Sequence, residues 1–210
     1  VKGEAMTEQR MKVDDGPAPA ESEEALKCMA HPARMRLLGA LRVGGVQTVG
    51  ELSAATGEAP GAVSYHLAQL AKVGLVEKAV SPDGDKRKSY WKSCHHATNV
   101  RPDSADADVI DAFSRTAALT YQMAYERFLD VLPTLPQEWE QTCGANDRVL
   151  RLTAEETRAM VEDLNAVMRK WEQLSDARRV AIERDAGADA DDDTAVEPVA
   201  VVQQVFRWVP

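Results

Sequence analysis

One stretch constrains the fold more than any other: ELSAATGEAPGAVSYHLAQLAKVG, from Glu51 to Gly74. It reads as two short helices with a tight break between them. Thr48 can cap the first, whose inward residues are Val49, Leu52 and Ala55. Gly57 follows it, where a left-handed residue costs least. Pro60 opens the second helix, where a missing N–H is no loss. Val63, Leu67, Leu70 and Gly74 then share one face at helical spacing. The opposite face carries Gly61, Ala62, Tyr65, Gln69 and Lys72. Small residues at a helix start, with hydrogen-bonding residues beyond them, suit insertion into a DNA major groove. A helical hairpin inside an ordinary bundle has the same spacing, and the residues that follow weigh against it.

Those residues are LVEKAVSPDGDKRKSYWKS. Leu75, Val76 and Val80 suggest a strand, Ser81 to Asp85 a turn, and Lys88 to Lys92 a returning strand. The far arm of this hairpin begins with Lys86, Arg87 and Lys88. A basic hairpin behind a helix-turn-helix makes a winged helix, and its cations suit phosphate contacts along a duplex backbone.

The net charge of −9 argues against a nucleic-acid binder until its distribution is considered. From Leu26 to Asn99 there are ten basic and five acidic residues, a net +5, so the remainder carries −14. A basic module joined to an acidic one fits a DNA reader with a separate assembly or sensing part. No run of about twenty apolar residues exists, so no membrane span is expected. The first residues lack a hydrophobic signal core, and the three cysteines, Cys28, Cys94 and Cys143, form no CxxC pair. A cytoplasmic location is therefore expected.

Residues 1–22 are polar and proline-containing, and read as a flexible lead-in. A first helix starts at Glu23, with Leu26 and Met29 inward. His31-Pro32 breaks it, because a residue before proline avoids the helical region. Pro32 then starts a second helix, PARMRLLGALRVGG, with His31 at its cap and Gly44-Gly45 at its end.

The order of helix, HPARMRLLGAL, helix-turn-helix, VSYHLAQLAKVGLVEK and basic hairpin resembles the ArsR/SmtB-type winged-helix repressors over about residues 24–95. Pro32, Arg34, Leu37 and Leu38 carry the likeness in the second helix. Val63, Ser64, His66 and Leu67 carry it in the fourth, with Leu70, Gly74, Leu75 and Val76 at its exit. The resemblance implies a symmetric dimer on operator DNA with the fourth helix in the major groove. It adds Ser64 and His66 to the candidate contacts, although His66 falls at the edge of the buried face. The family's metal motifs are missing. The third helix has no cysteine, and the long helix after residue 103 has no histidine. Cys94-His95-His96 is the remaining cluster of soft ligands, and adjacent residues rarely converge on one ion without distant partners. No metal and no cofactor are expected.

Beyond Arg101-Pro102 the chain changes character. Ser104 can cap a helix running to about Leu132, with Asp106 and Asp108 near its positive end. Val109, Phe113, Ala117, Ala124 and Phe128 line one side, and Ile110, Tyr121, Leu129 and Leu132 an adjoining one. So wide a stripe suits packing within the chain and against a second subunit. Val109, Ile110, Phe113 and Ala117 are the candidate dimerisation residues. Pro133 and Pro136 close the helix. Residues 148–152 alternate like a strand, and Thr153 with Glu156 forms a capping box. A long amphipathic helix follows, with Met160, Val161, Leu164, Val167, Met168, Trp171 and Leu174 expected inward. Asp185 to Glu197 reads as an acidic tether, and Val199 to Trp208 as a final strand. Tyr121, Tyr125, Trp139, Met168 and Trp171 are a candidate apolar pocket for a small-molecule effector, or simply core.

The expected fold class is α+β and mainly helical. Its parts are a flexible lead-in (1–22), a winged helix-turn-helix (23–100), and a dimerisation or effector part (101–210) with a long helix and a small α/β domain. No GxSxG, HExxH or phosphate-cradling glycine loop occurs, so no enzymatic activity is expected. The expected function is a homodimeric, DNA-binding transcriptional regulator, a repressor by resemblance, on palindromic double-stranded DNA. The alternatives are a winged-helix protein-interaction module and a ligand sensor. The DNA-binding candidates are Gly61, Ala62, Ser64, Tyr65, His66, Gln69, Lys72, Lys86, Arg87 and Lys88.

Overall fold

Local capping chemistry sets where the helices begin. The computed structural model describes residues 18–19, 22–81, 87–100, 105–184 and 196–209, and the chain falls into two units, Val1–Thr134 and Leu135–Pro210. Ser22 caps α1 (Glu23–Met29), its hydroxyl accepting from the Ala25 N–H at 3.2 Å. His31 caps α2 (Pro32–Gly44), its Nδ1 accepting from the Ala33 N–H at 3.2 Å. Thr48 and Glu51 form a reciprocal capping box at α3 (Val49–Thr56). The helix ends at Gly57, whose φ of 73° is the left-handed conformation that glycine adopts without penalty. Pro60 then starts α4 (Pro60–Lys72).

Two very short strands, β1 (Ala18–Pro19) and β5 (Thr98–Asn99), pair in parallel. The main sheet has three strands in the order β2 (Gln47–Thr48), β4 (Tyr90–Ser93), β3 (Val76–Ala79), all antiparallel. The expected hairpin is β3 and β4, with Val76 opposite Ser93 and Ala79 opposite Tyr90. β2 is an addition that periodicity does not reveal, because a two-residue strand has no period to read.

Among the described residues, every buried apolar side chain lies between Ala25 and Ala117. Leu26 and Met29 of α1, Leu37, Leu38 and Leu41 of α2, and Leu52 of α3 meet Val63, Leu67 and Leu70 of α4. Removing one such side chain from water contributes about 1.5–3 kcal/mol. Ala55, expected inward, is exposed, which leaves Leu52 as the buried residue of α3.

The long helix α5 (Ala107–Val131) belongs to this unit, which extends to residue 134. Its Phe113 and Ala117 enter the core, and Val109 and Ile110 pack against it. α1 and α2 line the same core. Phe113 and Ala117 are thus buried within their own chain, whereas Val109 and Ile110, the other candidate dimerisation residues, keep part of their surface exposed. The exposed large apolar residues of α5 lie further on, at Leu119, Met123, Tyr125, Leu129 and Val131. Ser104, its expected cap, lies outside the described residues, and Asp106 holds the cap position with no side-chain cap bond.

The second unit holds α6 (Gln137–Thr142) and α7 (Ala154–Arg184). Thr153 and Glu156 make the expected capping bonds: the Thr153 N–H donates to Glu156 Oε2 at 2.8 Å, and the Glu156 N–H to Thr153 Oγ1 at 3.2 Å. The expected strands at 148–152 and 199–208 do not form. Both segments alternate as strands do, but neither joins a ladder among the described residues, and a ladder needs two segments side by side. Most of the acidic stretch after Arg184 lies outside the described residues. No described residue from Leu135 onward is buried, including the α7 residues expected to face inward.

Candidate nucleic-acid interface

α4 is divided lengthwise. Val63, Leu67 and Leu70 are fully buried, which fixes the rotation of the helix on the core. The other side is presented outward, with Gly61, Ser64, Tyr65 and Lys72 exposed and Ala62 and Gln69 half-buried. Tyr65 is 59% exposed, high for an aromatic residue beside a core. Ser64 donates its hydroxyl to the Pro60 carbonyl at 3.0 Å, a bond within its own helix. The N-cap, Ala59, has no side chain that can accept from the first turn.

His66 is not part of this outward row. It is buried, with its ring 4.7 Å from that of His31 and 5.3 Å from that of Tyr65. Its burial sets it apart from the other base-reading candidates on α4, which are exposed or half-buried. Position 66 follows Val63 by three residues and precedes Leu70 by four, so it turns inward with them. Burial, with the Arg34 cation and His66 nearby, pushes His31 below the ordinary histidine range. A neutral His31 is what the cap requires, because its Nδ1 must keep a free lone pair.

The hairpin carries cations of two kinds. Lys92 is paired across the sheet with Glu77 at 3.0 Å. Lys78 lies 5.9 Å from the centre of the Trp91 ring and is an exposed residue. Arg87 and Lys88 are exposed at the start of the far arm, and Lys86 lies outside the described residues. Away from the hairpin, two further cations are committed to carboxylates: Arg36 binds Glu58 at 2.5 Å, and Lys27 pairs with Glu23.

Arg42, which the sequence presents as one more basic residue, is a clamp. Its Nε donates to the His95 carbonyl at 3.0 Å, and its Nη2 to the Ala97 carbonyl at 3.0 Å and the Thr98 hydroxyl at 2.7 Å. Burial pushes its pKa below the ordinary arginine value. The clamp ties the chain leaving the wing to α2. No local pattern marks it, since its acceptors lie more than fifty residues away in sequence.

The candidate pocket residues are divided between the two units. Tyr121 and Tyr125 lie on α5, the latter stacked on Phe128, whereas Trp139, Met168 and Trp171 belong to the second unit. Trp171 is 55% exposed, with Lys170 over its ring. Among the described residues no group of three or more His, Cys, Asp or Glu side chains is placed to hold a metal ion, and no helix is long and apolar enough to cross a membrane.

Residues 29–79 match the helix-turn-helix domain. The match covers α2 to β3, the part that orients the outward face of α4. No curated protein matches the chain. Among solved structures, a mutant MarR from E. coli is 19% identical, over 65% of this chain and 76% of that one, with a TM-score of 0.30. A mutant ZitR from Lactococcus lactis is 13% identical, over 67% and 73%, with a TM-score of 0.28. These global similarities are weak.

Proposed function

We propose that the chain is a sequence-specific DNA-binding transcriptional regulator of the ArsR/SmtB type, acting as a repressor on a palindromic operator as a homodimer. The supporting observation is the division of α4: its core face is locked by Val63, Leu67 and Leu70 while Ser64, Tyr65, Gln69 and Lys72 are turned outward. The helix-turn-helix match over the same residues supports it. In this reading Tyr65 and Gln69 read base edges, Lys72 and the N-terminal turn of α4 lie against phosphates, and the wing's Lys86, Arg87 and Lys88 hold the backbone. Two copies then address half-sites about one helical turn, roughly 34 Å, apart.

Selection of bound duplexes from random oligonucleotides tests this directly, because it returns both the site and its symmetry. Gln69→Ala should relax preference at one base position, by about 1–3 kcal/mol. Replacing Lys86, Arg87 and Lys88 by Ala should weaken binding to every sequence and lower the salt slope by about 0.9 for each phosphate no longer neutralised. An unchanged slope removes the wing from the mechanism. A second reading, a winged-helix module that binds protein, is favoured by Gly61 and Ala62, which offer no base-reading side chain. Failure to retain any duplex at low salt would decide for it.

A further inference from the structure

The longest helix has an apolar seam of which no residue is buried: Met160 is half-buried and the rest is exposed. Met160, Leu164, Val167, Trp171 and Leu174 of α7 follow one another at intervals of four, three, four and three residues. That is the strict a/d spacing of a coiled-coil seam rather than the broader stripe of a helix packed on a globular core. Leu164, Val167, Trp171 and Leu174 are 39–56% exposed. An isolated helix gains little from propensity alone, so a seam of this kind is stabilised by a facing helix.

The charges flanking the seam identify that helix. With Leu164 and Trp171 at a positions, Asp163 and Lys170 both fall at g. In a parallel pair, g faces e of the partner, and the e residues here are Val161, Met168 and Ser175, which form no ion pair. In an antiparallel pair, g faces g, so Asp163 of each copy meets Lys170 of the other. The two ends of the helix agree. Residues 154–168 hold four carboxylates and one guanidinium, and residues 169–184 hold five basic and three acidic side chains. Only a reversed second copy sets the acidic half of one helix against the basic half of the other. Each ion pair then occurs twice about a two-fold axis, as an isologous interface requires. Capping and the helix dipole account for Glu155 and Glu156 at the start, but not for a heptad seam or for Asp163 and Lys170 beside it.

We propose that α7 is a self-association surface, and that its partner is α7 of a second copy of this chain in antiparallel orientation. The proposal is independent of DNA binding, although it supplies the pairing that a palindromic operator needs. The test is the mass of the full-length protein in DNA-free solution, by sedimentation equilibrium over a range of concentrations. The wild type should be a dimer. Leu164→Asp with Trp171→Asp should give the single-chain mass, with the helix content of the first unit kept. Lys170→Glu should weaken association roughly three- to tenfold, and adding Asp163→Lys should restore it. A wild-type protein of single-chain mass overturns the proposal. So does a dimer untouched by the seam substitutions, or one that dissociates only when Leu119 and Met123 of α5 are replaced. Failure of the compensating pair overturns the antiparallel orientation. None of these readouts depends on whether the first unit binds a duplex.

Discussion

The two units use the same sequence device and reach opposite results. In α4, Val63, Leu67 and Leu70 repeat at helical spacing and are fully buried. In α7, Leu164, Val167, Trp171 and Leu174 repeat at helical spacing and stay half in water. The difference lies in the neighbours. α4 has α2, α3 and the sheet around it within the same unit, and each contributes apolar side chains to one core. Periodicity states that a face requires cover. It does not state whether the cover comes from the same chain.

Substitutions can break this contrast or sharpen it. The largest effect should come from Leu67→Ala, which removes a fully buried side chain and should cost about 2–5 kcal/mol in urea unfolding of the first unit. Val167→Ala, its counterpart on α7, should be nearly silent, within about 0.5 kcal/mol, at concentrations low enough that the proposed α7 dimer is dissociated. Equal costs at the two positions would end the distinction between the units. Next comes Arg42→Met. It leaves the carbonyls of His95 and Ala97 and the Thr98 hydroxyl without their donor, and should destabilise the first unit by about 1–3 kcal/mol.

A smaller gain is expected from Ala59→Ser, which supplies the missing cap of α4. It should stabilise by about 0.5–2 kcal/mol, read as a higher melting temperature. The smallest effect concerns acid. His31 has a folded pKa below its unfolded value of 6.5, so the unfolded chain binds the proton more readily. Stability from this group is complete above the unfolded value and is lost as pH falls through it towards the folded one. His31→Asn keeps a capping oxygen and removes the titration. Its first-unit melting temperature should therefore fall less than that of wild type between neutral pH and pH about 5. Parallel curves would show that His31 does not set the acid response.

The winged helix-turn-helix is legible because its signals are local. Thr48 with Glu51, Gly57 and Pro60 mark helix ends by backbone chemistry that needs no distant partner, and the hairpin is bounded by turn residues. The outward row on α4 follows from the same spacing, and the burial of His66 agrees with its place at the edge of the core face. How deeply Val109, Ile110, Phe113 and Ala117 enter the chain's own core is not legible. α5 is apolar over more than one face, and sequence alone does not tell which side α1 and α2 will take. Strands expected at 148–152 and 199–208 fail for a related reason. Alternation describes a surface that can pair, whereas pairing depends on where the other segment lies. Arg42 is invisible because charge counting treats a buried guanidinium and an exposed one alike.

Thr48 ends β2 and caps α3 at the same time, and its strand partner is Tyr90 on the far arm of the hairpin. No spacer separates the sheet from α3. The hairpin is thus joined to the front of α3 through Thr48, with no intervening linker. In the proposed DNA-binding role, the hairpin and the two helices would meet a duplex already joined, with the ordering cost met during folding rather than on binding.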